Sequence, residues 1–178
     1  MIEYKVKVYA NGDKLWYLNG KRHREDGPAV EWADGTKYWH LNGKRHREDG
    51  PAVELANGDK SWYLNGGLHR EDGPAVEYPN GTKLWYLNDK LHREDGPAVE
   101  YGDGTKSWHL NGKCHREDGP AVEWANGGKD WYLNNRYLTE QAHKKATTKS
   151  TSCSGKEVVI DGVVYVLKEK GQDDDDNN

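Results

Sequence analysis

The strongest constraint on this chain is a period of 23 residues that runs through most of its length. The string HREDGPAVE occurs five times at this spacing, and one full unit reads WHLNGKRHREDGPAVELANGDKS from Trp39 to Ser61. A fixed period of this length is typical of repeat architectures, in which each unit packs mainly on its neighbours. The repeated aromatic and imidazole positions are Trp16, Trp39, Trp62, Trp85, Trp108 and Trp131, and His23, His46, His69, His92 and His115.

Two turn signals recur in every unit. The first is Asp-Gly or Asn-Gly, as at Asp34-Gly35, and the second is Asn-Gly, as at Asn42-Gly43, which decays to Asn88-Asp89 and Asn134-Asn135. Such dipeptides accept positive φ at both central positions and therefore favour type I′ turns. The sequence predicts an all-β fold, an elongated and coiled antiparallel β-hairpin repeat array, built as a single-layer sheet or a β-solenoid.

The two segments between turns differ in length. Residues 36–41 form a short segment, whereas residues 44–56 form one about twice as long, so a flat meander cannot pair them. Proline lacks the N–H that a central ladder position needs. We therefore expect the longer segment to step sideways or to bend at Gly50-Pro51.

Alternation along the strands assigns side chains to faces. With two-residue turns, Trp39 lies opposite Val30, and the apolar face consists of Val, an aromatic residue or Leu (as at Trp32), Trp and Leu. The opposite face carries Glu, Asn and either Tyr or His. Since a long apolar stripe seldom stays exposed, we expect coiling of the sheet, the C-terminal segment or a second copy to cover it.

The ends of the array depart from the repeat. The sequence predicts hairpin repeats with an N-terminal capping strand over residues 1–138. In the cap the alternation changes, so that Tyr4, Val6 and Val8 fall on the side that is polar in the repeats (a parity break), and we expect a bulge there. A short helix with Thr139 as N-cap and a polar linker from Lys144 make up residues 139–156. A C-terminal hairpin follows over 157–170, with Val158, Ile160, Val164 and Val166 as candidates for self-association, and a disordered acidic tail over 171–178.

Composition narrows the function classes. The formal net charge is −4, and Asp173–Asp176 account for all of it. The rest of the chain lacks the overall basic balance of a nucleic-acid binder, and we expect no such partner. No apolar run reaches membrane-spanning length, and the start does not resemble a signal peptide. With only two cysteines, the sequence favours a reducing cytoplasm.

The HRED string holds a possible base, a cation and two carboxylates. We interpret it as structural, because five copies do not make the one preorganised constellation that catalysis needs. The copies also lie too far apart for neighbouring histidines to share Zn²⁺. We expect His to pack beside Trp, Arg to pair with Glu or Asp, and an alternating ladder of charges to set the register. The sequence predicts no catalytic site, no metal and no cofactor.

A second periodic row is the candidate interaction face. The alternation places it on the polar side of the sheet, where exposed aromatics can contact a protein, sugar or base. The alternative is that these rings only cover the sheet. The row comprises Tyr17, His40, Tyr63, Tyr86, His109 and Tyr132.

From Trp16 to Leu138 the units resemble MORN-type repeats, which also carry an N-G-K-x-H string followed by a D-G turn. Here the string is Asn42-Gly43-Lys44-Arg45-His46, but the H-G-x-G of that family is replaced by H-R-E-D-G-P. The resemblance implies hairpin architecture more than exact packing or lipid binding. The wording HREDGPAV and the ending VVIDGVVYVLK are similar to segments of phage and large-virus accessory proteins, which implies action on host components or host defence, in the host cytoplasm.

Three hypotheses follow from the sequence. The first is a non-enzymatic interaction protein with a protein partner, able to form homo-oligomers. The second is a binder of small ligands such as nucleotides or sugars, with several equal sites per chain. The third, an enzyme, is the least favoured.

Overall fold

The structure is a computed structural model, and it describes residues 4–151, 157–160 and 163–166. The described part is all-β apart from one helix, so the predicted hairpin array is confirmed. In chain order its elements are β1 (Tyr4–Val8), β2 (Lys14–Leu18), β3 (Lys21–Arg22), β4 (Val30–Glu31), β5 (Lys37–Tyr38), β6 (His40–Leu41), β7 (Lys44–Arg45), β8 (Val53–Glu54), β9 (Lys60–Ser61), β10 (Tyr63–Leu64), β11 (Gly67–Leu68), β12 (Val76–Glu77), β13 (Lys83–Leu84), β14 (Tyr86–Leu87), β15 (Lys90–Leu91), β16 (Val99–Glu100), β17 (Lys106–Ser107), β18 (His109–Leu110), β19 (Lys113–Cys114), β20 (Val122–Glu123), β21 (Lys129–Leu133), β22 (Arg136–Leu138), α1 (Glu140–Thr151), β23 (Glu157–Ile160) and β24 (Val163–Val166).

The strands form two rows. The main sheet has 14 strands in the order β1-β2-β4-β5-β8-β9-β12-β13-β16-β17-β20-β21-β22, with β3 paired to β2. Beside it stands a row of small hairpins, β6–β7, β10–β11, β14–β15 and β18–β19. The hairpins are joined through the backbone: Arg47 N–H donates to Tyr63 O at 3.1 Å, and Gly66 N–H donates to Arg45 O at 2.8 Å.

The long segment of each unit does step sideways, as its proline indicated. Its first part, β7, pairs within the side hairpin, whereas its second part, β8, pairs with β5 and β9 in the main sheet. Trp39 bridges the two rows, because its N–H donates to Ala52 O at 2.8 Å and its O accepts from His46 N–H at 3.1 Å.

The second turn of each unit is type I′, as predicted. Both central residues have positive φ, 53° at Asn42 and 84° at Gly43. The two degenerate turns have the same conformation, and there the second side chain forms an additional hydrogen bond. Asp89 accepts a hydrogen bond from Leu68 N–H at 2.8 Å, and Asn135 accepts one from Cys114 N–H at 2.7 Å.

For the first turn the prediction of type I′ was wrong. Trp32 N–H donates to Thr36 O at 2.9 Å and Gly35 N–H donates to Trp32 O at 3.0 Å, which closes a three-residue loop, and of its residues only Gly35 has positive φ. Three-residue loops of this kind end in a left-handed residue that makes a bulge. Asp34 serves a different purpose, because its carboxylate accepts the N–H of Thr36 at 2.8 Å in an Asx turn.

The extra loop residue shifts the pairing by one and reverses the predicted faces. Val30 pairs with Tyr38, not with Trp39. Cross-strand partners share a face, so the valine lies with Tyr38 and His40, whereas Trp39 lies with Glu31. The predicted apolar face of Val, Trp and Leu was therefore wrong, because a slip of one residue moves every side chain to the other side.

On the tryptophan face, lysine and glutamate alternate across the main sheet. Lys37 pairs with Glu31 on one side and with Glu54 on the other, and the same alternation extends from Lys14 to Lys129. Opposite charges at cross-strand positions stabilise a sheet by roughly 0.2–1 kcal/mol per pair. The sequence predicted a register ladder from the charges of the HRED strings, whereas this ladder consists of the lysines and glutamates of the main sheet.

The core consists of the alanine and valine of each GPAV string. All five alanines are 0% exposed, and Val30 is also 0% exposed. A single chain therefore buries this row, and no second copy is needed to cover it. The buried alanines and valines of these strings are Ala29, Val30, Ala52, Val53, Ala75, Val76, Ala98, Val99 and Ala121.

Each end of the array carries a cap. At the N-terminal end, β1 pairs with β2 in continuous register over Tyr4–Val8, and Val8 lies opposite Lys14, on the side of the sheet that carries the glutamates. The expected parity break is thus present, but the expected bulge is absent from Tyr4–Val8. Tyr4 lies edge-on to His23, with ring centroids 6.3 Å apart.

At the C-terminal end, Thr139 caps α1 as predicted, since its hydroxyl accepts a hydrogen bond from Ala142 N–H at 3.2 Å. The helix continues to Thr151, so the predicted polar linker is helical up to that residue. His143 of this helix is 1% exposed, and its ring lies 4.9 Å from that of Trp131. Its Nε2 donates to Arg116 O at 2.6 Å, which fixes the helix on the last unit.

The three-residue loop gives a first prediction. Gly35 has φ +93°, and a Cβ built there meets nothing within 4 Å, so Gly35→Ala adds only backbone strain. We expect the free energy of unfolding to fall by about 1–2 kcal/mol, measured by urea denaturation. Gly35→Asn is the matched control and should lose less, because Asn tolerates left-handed conformations better. Equal losses for the two variants would contradict this loop geometry.

Candidate binding surfaces

Each HREDGP bend is held by one arginine. The Arg47 guanidinium lies over the Trp39 ring, with its carbon 4.2 Å from the ring centroid. Its Nε donates to Asp49 at 2.9 Å, and its Nη1 donates to Pro51 O at 3.2 Å and to Glu54 at 3.1 Å. We call this set the arginine clasp. It recurs at Arg24, Arg47, Arg70, Arg93 and Arg116, each 4.0–4.3 Å from a tryptophan centroid.

The aspartate of each clasp accepts a hydrogen bond from its arginine. In every unit the hydrogen bond and the positive charge of the arginine hold the pKa of the aspartate carboxyl below its usual value. The predicted structural pairing of arginine with Asp and Glu is therefore observed within each unit. These aspartates are Asp26, Asp49, Asp72, Asp95 and Asp118.

The histidines join one unit to the next. His46 Nδ1 accepts the backbone N–H of Asn65 at 3.1 Å, and equivalent bonds of 3.0–3.3 Å recur at the other four histidines. Because Nδ1 of His46 is an acceptor, the ring proton of that residue lies on Nε2. The five histidines thus have a structural role on the type I′ turn of the following unit; the sequence predicted a structural role for them, but beside the tryptophan and not through this bond.

The glutamates of the HRED strings have no comparable partner. Glu48 is 83% exposed at its side chain, and its neighbour is His46 Nε2 at 3.6 Å. The same arrangement, with distances of 3.5–3.7 Å, recurs at Glu25, Glu48, Glu71, Glu94 and Glu117.

A groove opens between each pair of successive bends. In the groove between the first two bends, the strings Arg24–Pro28 and His46–Asp49 form the walls, and Trp39 and Leu41 contribute apolar surface. Three more grooves have the same lining in the following units. The half-buried tryptophan row therefore has two roles: it is covered by the clasps, and it lines the grooves.

The predicted interaction row, from Tyr17 to Tyr132, is not exposed. His40 is buried, and the other five members are half-buried. Tyr63 already contacts Arg45, whose guanidinium carbon is 5.1 Å from the ring centroid and whose Nη1 donates to the hydroxyl at 3.2 Å. The expectation of exposure was wrong, because the one-residue shift places this row beside the valines.

A different aromatic row is exposed and was not singled out from the sequence. It occupies the position just before each three-residue loop, and its exposed members are 37–48% accessible. Its sequence signal is the same 23-residue period, which was assigned to the apolar face instead. We call Tyr9, Trp32, Leu55, Tyr78, Tyr101 and Trp124 the outer row; Leu55 alone is half-buried.

The C-terminal hairpin forms as predicted, with Val158 paired to Tyr165 and Ile160 paired to Val163. The side chains of the four residues predicted for self-association lie outside the described part of the structure, so that role stays a prediction. The acidic tail lies outside the described residues altogether.

Within residues 4–151 and the two C-terminal strands, no three His, Cys, Asp or Glu side chains form a group able to hold a metal ion. In the same part of the chain, no helix has the length and apolarity to cross a membrane. Comparison with protein-family models gives no match, and comparison with curated proteins gives none either.

The histidine bonds give a second prediction. His46→Ala, His69→Ala and His92→Ala should each lower the free energy of unfolding by about 1 kcal/mol, because each leaves one N–H without its acceptor. His46→Asn should lose less, because its Oδ1 can take the place of Nδ1. Chemical denaturation of each variant measures this. One position with a far larger effect than its counterparts would contradict the equivalence of the units.

The buried histidines give a third prediction. Burial, together with Arg22 and Arg45, lowers the pKa of His40, and burial lowers the pKa of His109. The unfolded chain therefore binds protons near pH 6.5 while the folded chain resists them. Unfolding free energy should fall as pH drops below about 6.5 toward the folded-state pKa.

The control for this pH dependence comes from the other units. Tyr63 and Tyr86 occupy the same position as His40 and His109. The double variant His40→Tyr/His109→Tyr should show a flatter loss of stability between about pH 7 and 5.5, measured by urea denaturation. An unchanged pH slope would contradict the assignment.

Proposed function

We propose that this chain is a non-enzymatic interaction protein that presents the outer row to a protein partner. The observation that carries the proposal is a line of exposed aromatic rings repeated at one position of a regular array. Tyr9, Tyr78, Tyr101 and Trp124 are 42–48% accessible although the same chain fully buries its alanines. Large aromatic side chains supply much of the binding energy at protein interfaces.

The array suits this task because its units are held in fixed positions. Each unit is joined to the next by backbone bonds between hairpins, by the histidine bond and by loop contacts such as Ala56 N–H to Thr36 Oγ1 at 3.1 Å. Two strands per unit place equivalent residues about 10 Å apart. A surface fixed in this way loses little conformational entropy on binding.

A protein partner is favoured over small ligands at the Tyr/His row. In that row His40 is buried, His109 contacts Ser107 at 2.8 Å, and Tyr132 packs on Tyr137 with centroids 5.5 Å apart. These rings are engaged within the chain and at most half-exposed, whereas the aromatic members of the outer row are 37–48% accessible, although the Trp124 indole N–H donates to Asp130 at 2.8 Å. The repeat sequence HREDGPAV is similar to segments of phage and large-virus accessory proteins, so a host protein is the first partner to seek.

Removal of the outer-row rings tests the proposal. Tyr78→Ser/Tyr101→Ser should abolish capture of the partner from host lysate, quantified by mass spectrometry, because it removes two central aromatic anchors. Thermal unfolding should change little, since both rings are exposed. Tyr137→Ser is the matched control: Tyr137 is 59% accessible but lies outside the row, so capture should persist. Equal capture by all three proteins, or no specific capture by the parent, would contradict the proposal.

A further inference from the structure

We propose that the grooves between successive HRED bends bind an extended, cationic polypeptide segment, with one Lys or Arg side chain in each groove. This surface is separate from the outer row, since it is built from the bends and the tryptophan row. The proposal therefore concerns a second binding surface and does not depend on the first.

The charge of the grooves indicates a cationic occupant. Within a clasp Arg47 is shared between Asp49 and Glu54, so its charge is already used. Glu48 remains 83% exposed, and His46 Nε2 lies 3.6 Å away, beyond ordinary hydrogen-bond distance. Each groove lies between two bends and therefore has two such glutamates, one on each wall. Successive grooves share the glutamate of the bend between them.

The apolar lining suits the stem of a long cationic side chain. Trp39 and Leu41 line the groove between Glu25 and Glu48. Lysine and arginine bury their methylene stems on apolar surface while the charged head stays in a polar environment. An anionic occupant, such as a nucleic-acid or lipid phosphate, would instead meet exposed carboxylates on both sides.

Some positions vary between the units, whereas the exposed glutamate does not, and this also indicates a binding role for the glutamate. The residue paired with the valine of each unit varies along the chain, as Tyr38, Ser61, Leu84, Ser107 and Asp130. The exposed glutamate is present in all five HRED strings although it makes no contact comparable to those of the clasp. A structural role explains the aspartate and the arginine but not this glutamate.

The spacing of the grooves selects the conformation of the segment. Equivalent positions of adjacent units lie about 10 Å apart. A polyproline II helix rises about 3.1 Å per residue and has three residues per turn, so every third side chain returns to the same side after about 9 Å. The occupant should therefore carry Lys or Arg at every third position, and four grooves can engage four such residues together.

Two synthetic peptides test this spacing with the full chain. One consists of four Lys-Pro-Ala repeats, and the other has the same composition with its four lysines consecutive. Measured by fluorescence anisotropy at low ionic strength, the periodic peptide should bind about tenfold more tightly, because all its lysines reach carboxylates. Added salt should weaken it, since these pairs are exposed. Equal affinities, or no binding of the periodic peptide, would overturn the proposal.

Matched variants locate the binding. Glu71→Gln/Glu94→Gln should weaken the periodic peptide about fivefold, whereas Asp34→Asn/Asp103→Asn, with the same change of net charge, should change it less than about twofold. Asn already stands at the control position in other loops, as at Asn57 and Asn80. Equal weakening by both pairs would show general attraction and would overturn the assignment to the grooves.

The outer-row variant separates this proposal from the first. Tyr78→Ser/Tyr101→Ser should retain full affinity for the periodic peptide. If this variant lost affinity for the peptide, the peptide would bind at the outer row and not in the grooves. Failure of the peptide to bind leaves the capture experiment unaffected, because the two experiments depend on different residues.

Discussion

The arginine of each bend connects parts of the unit that the backbone alone would leave weakly joined. At the bend the chain leaves the side hairpin for the main sheet, and Pro51 has no N–H to offer. Arg47 contacts the ring of Trp39, Asp49 in the bend, Pro51 O and Glu54 in the main sheet. Its planar fork allows these contacts at once, which a lysine could not reproduce. No HRED string follows Trp131, and there the buried His143 of α1 packs on the last indole instead.

The sequence predicted the architecture but not its faces, and the reason lies in one loop. Asp34-Gly35 and Asn42-Gly43 look alike, yet the first belongs to a three-residue loop and the second to a type I′ turn. The distinguishing signal was present: a polar residue such as Thr36 follows the first glycine and accepts a hydrogen bond from Ala56 of the next unit. Lysine follows the second glycine in most units. Because pairing has a period of two, this single residue decided which aromatic row is exposed.

Repetition also constrains the kind of function that the chain can carry. The clasp geometry is nearly constant, with centroid distances of 4.0–4.3 Å in five units, so the grooves between the bends are closely similar. Equal weak sites at fixed spacing gain strength when one partner engages several of them, because each contact after the first is intramolecular. Such an array suits long partners better than compact ones.

The two adjacent carboxylates of the HRED string show how structure and binding divide within one motif. Asp49 accepts a hydrogen bond from Arg47, which lowers the pKa of its carboxyl, so its charge is neutralised within the bend. Glu48 is 83% exposed at its side chain, and its neighbour is His46 Nε2 at 3.6 Å. The aspartate can be replaced only at the expense of the bend, whereas the glutamate can change without disturbing it. A residue that the fold does not require, but that recurs in every bend, is where a binding function can be sought independently of stability.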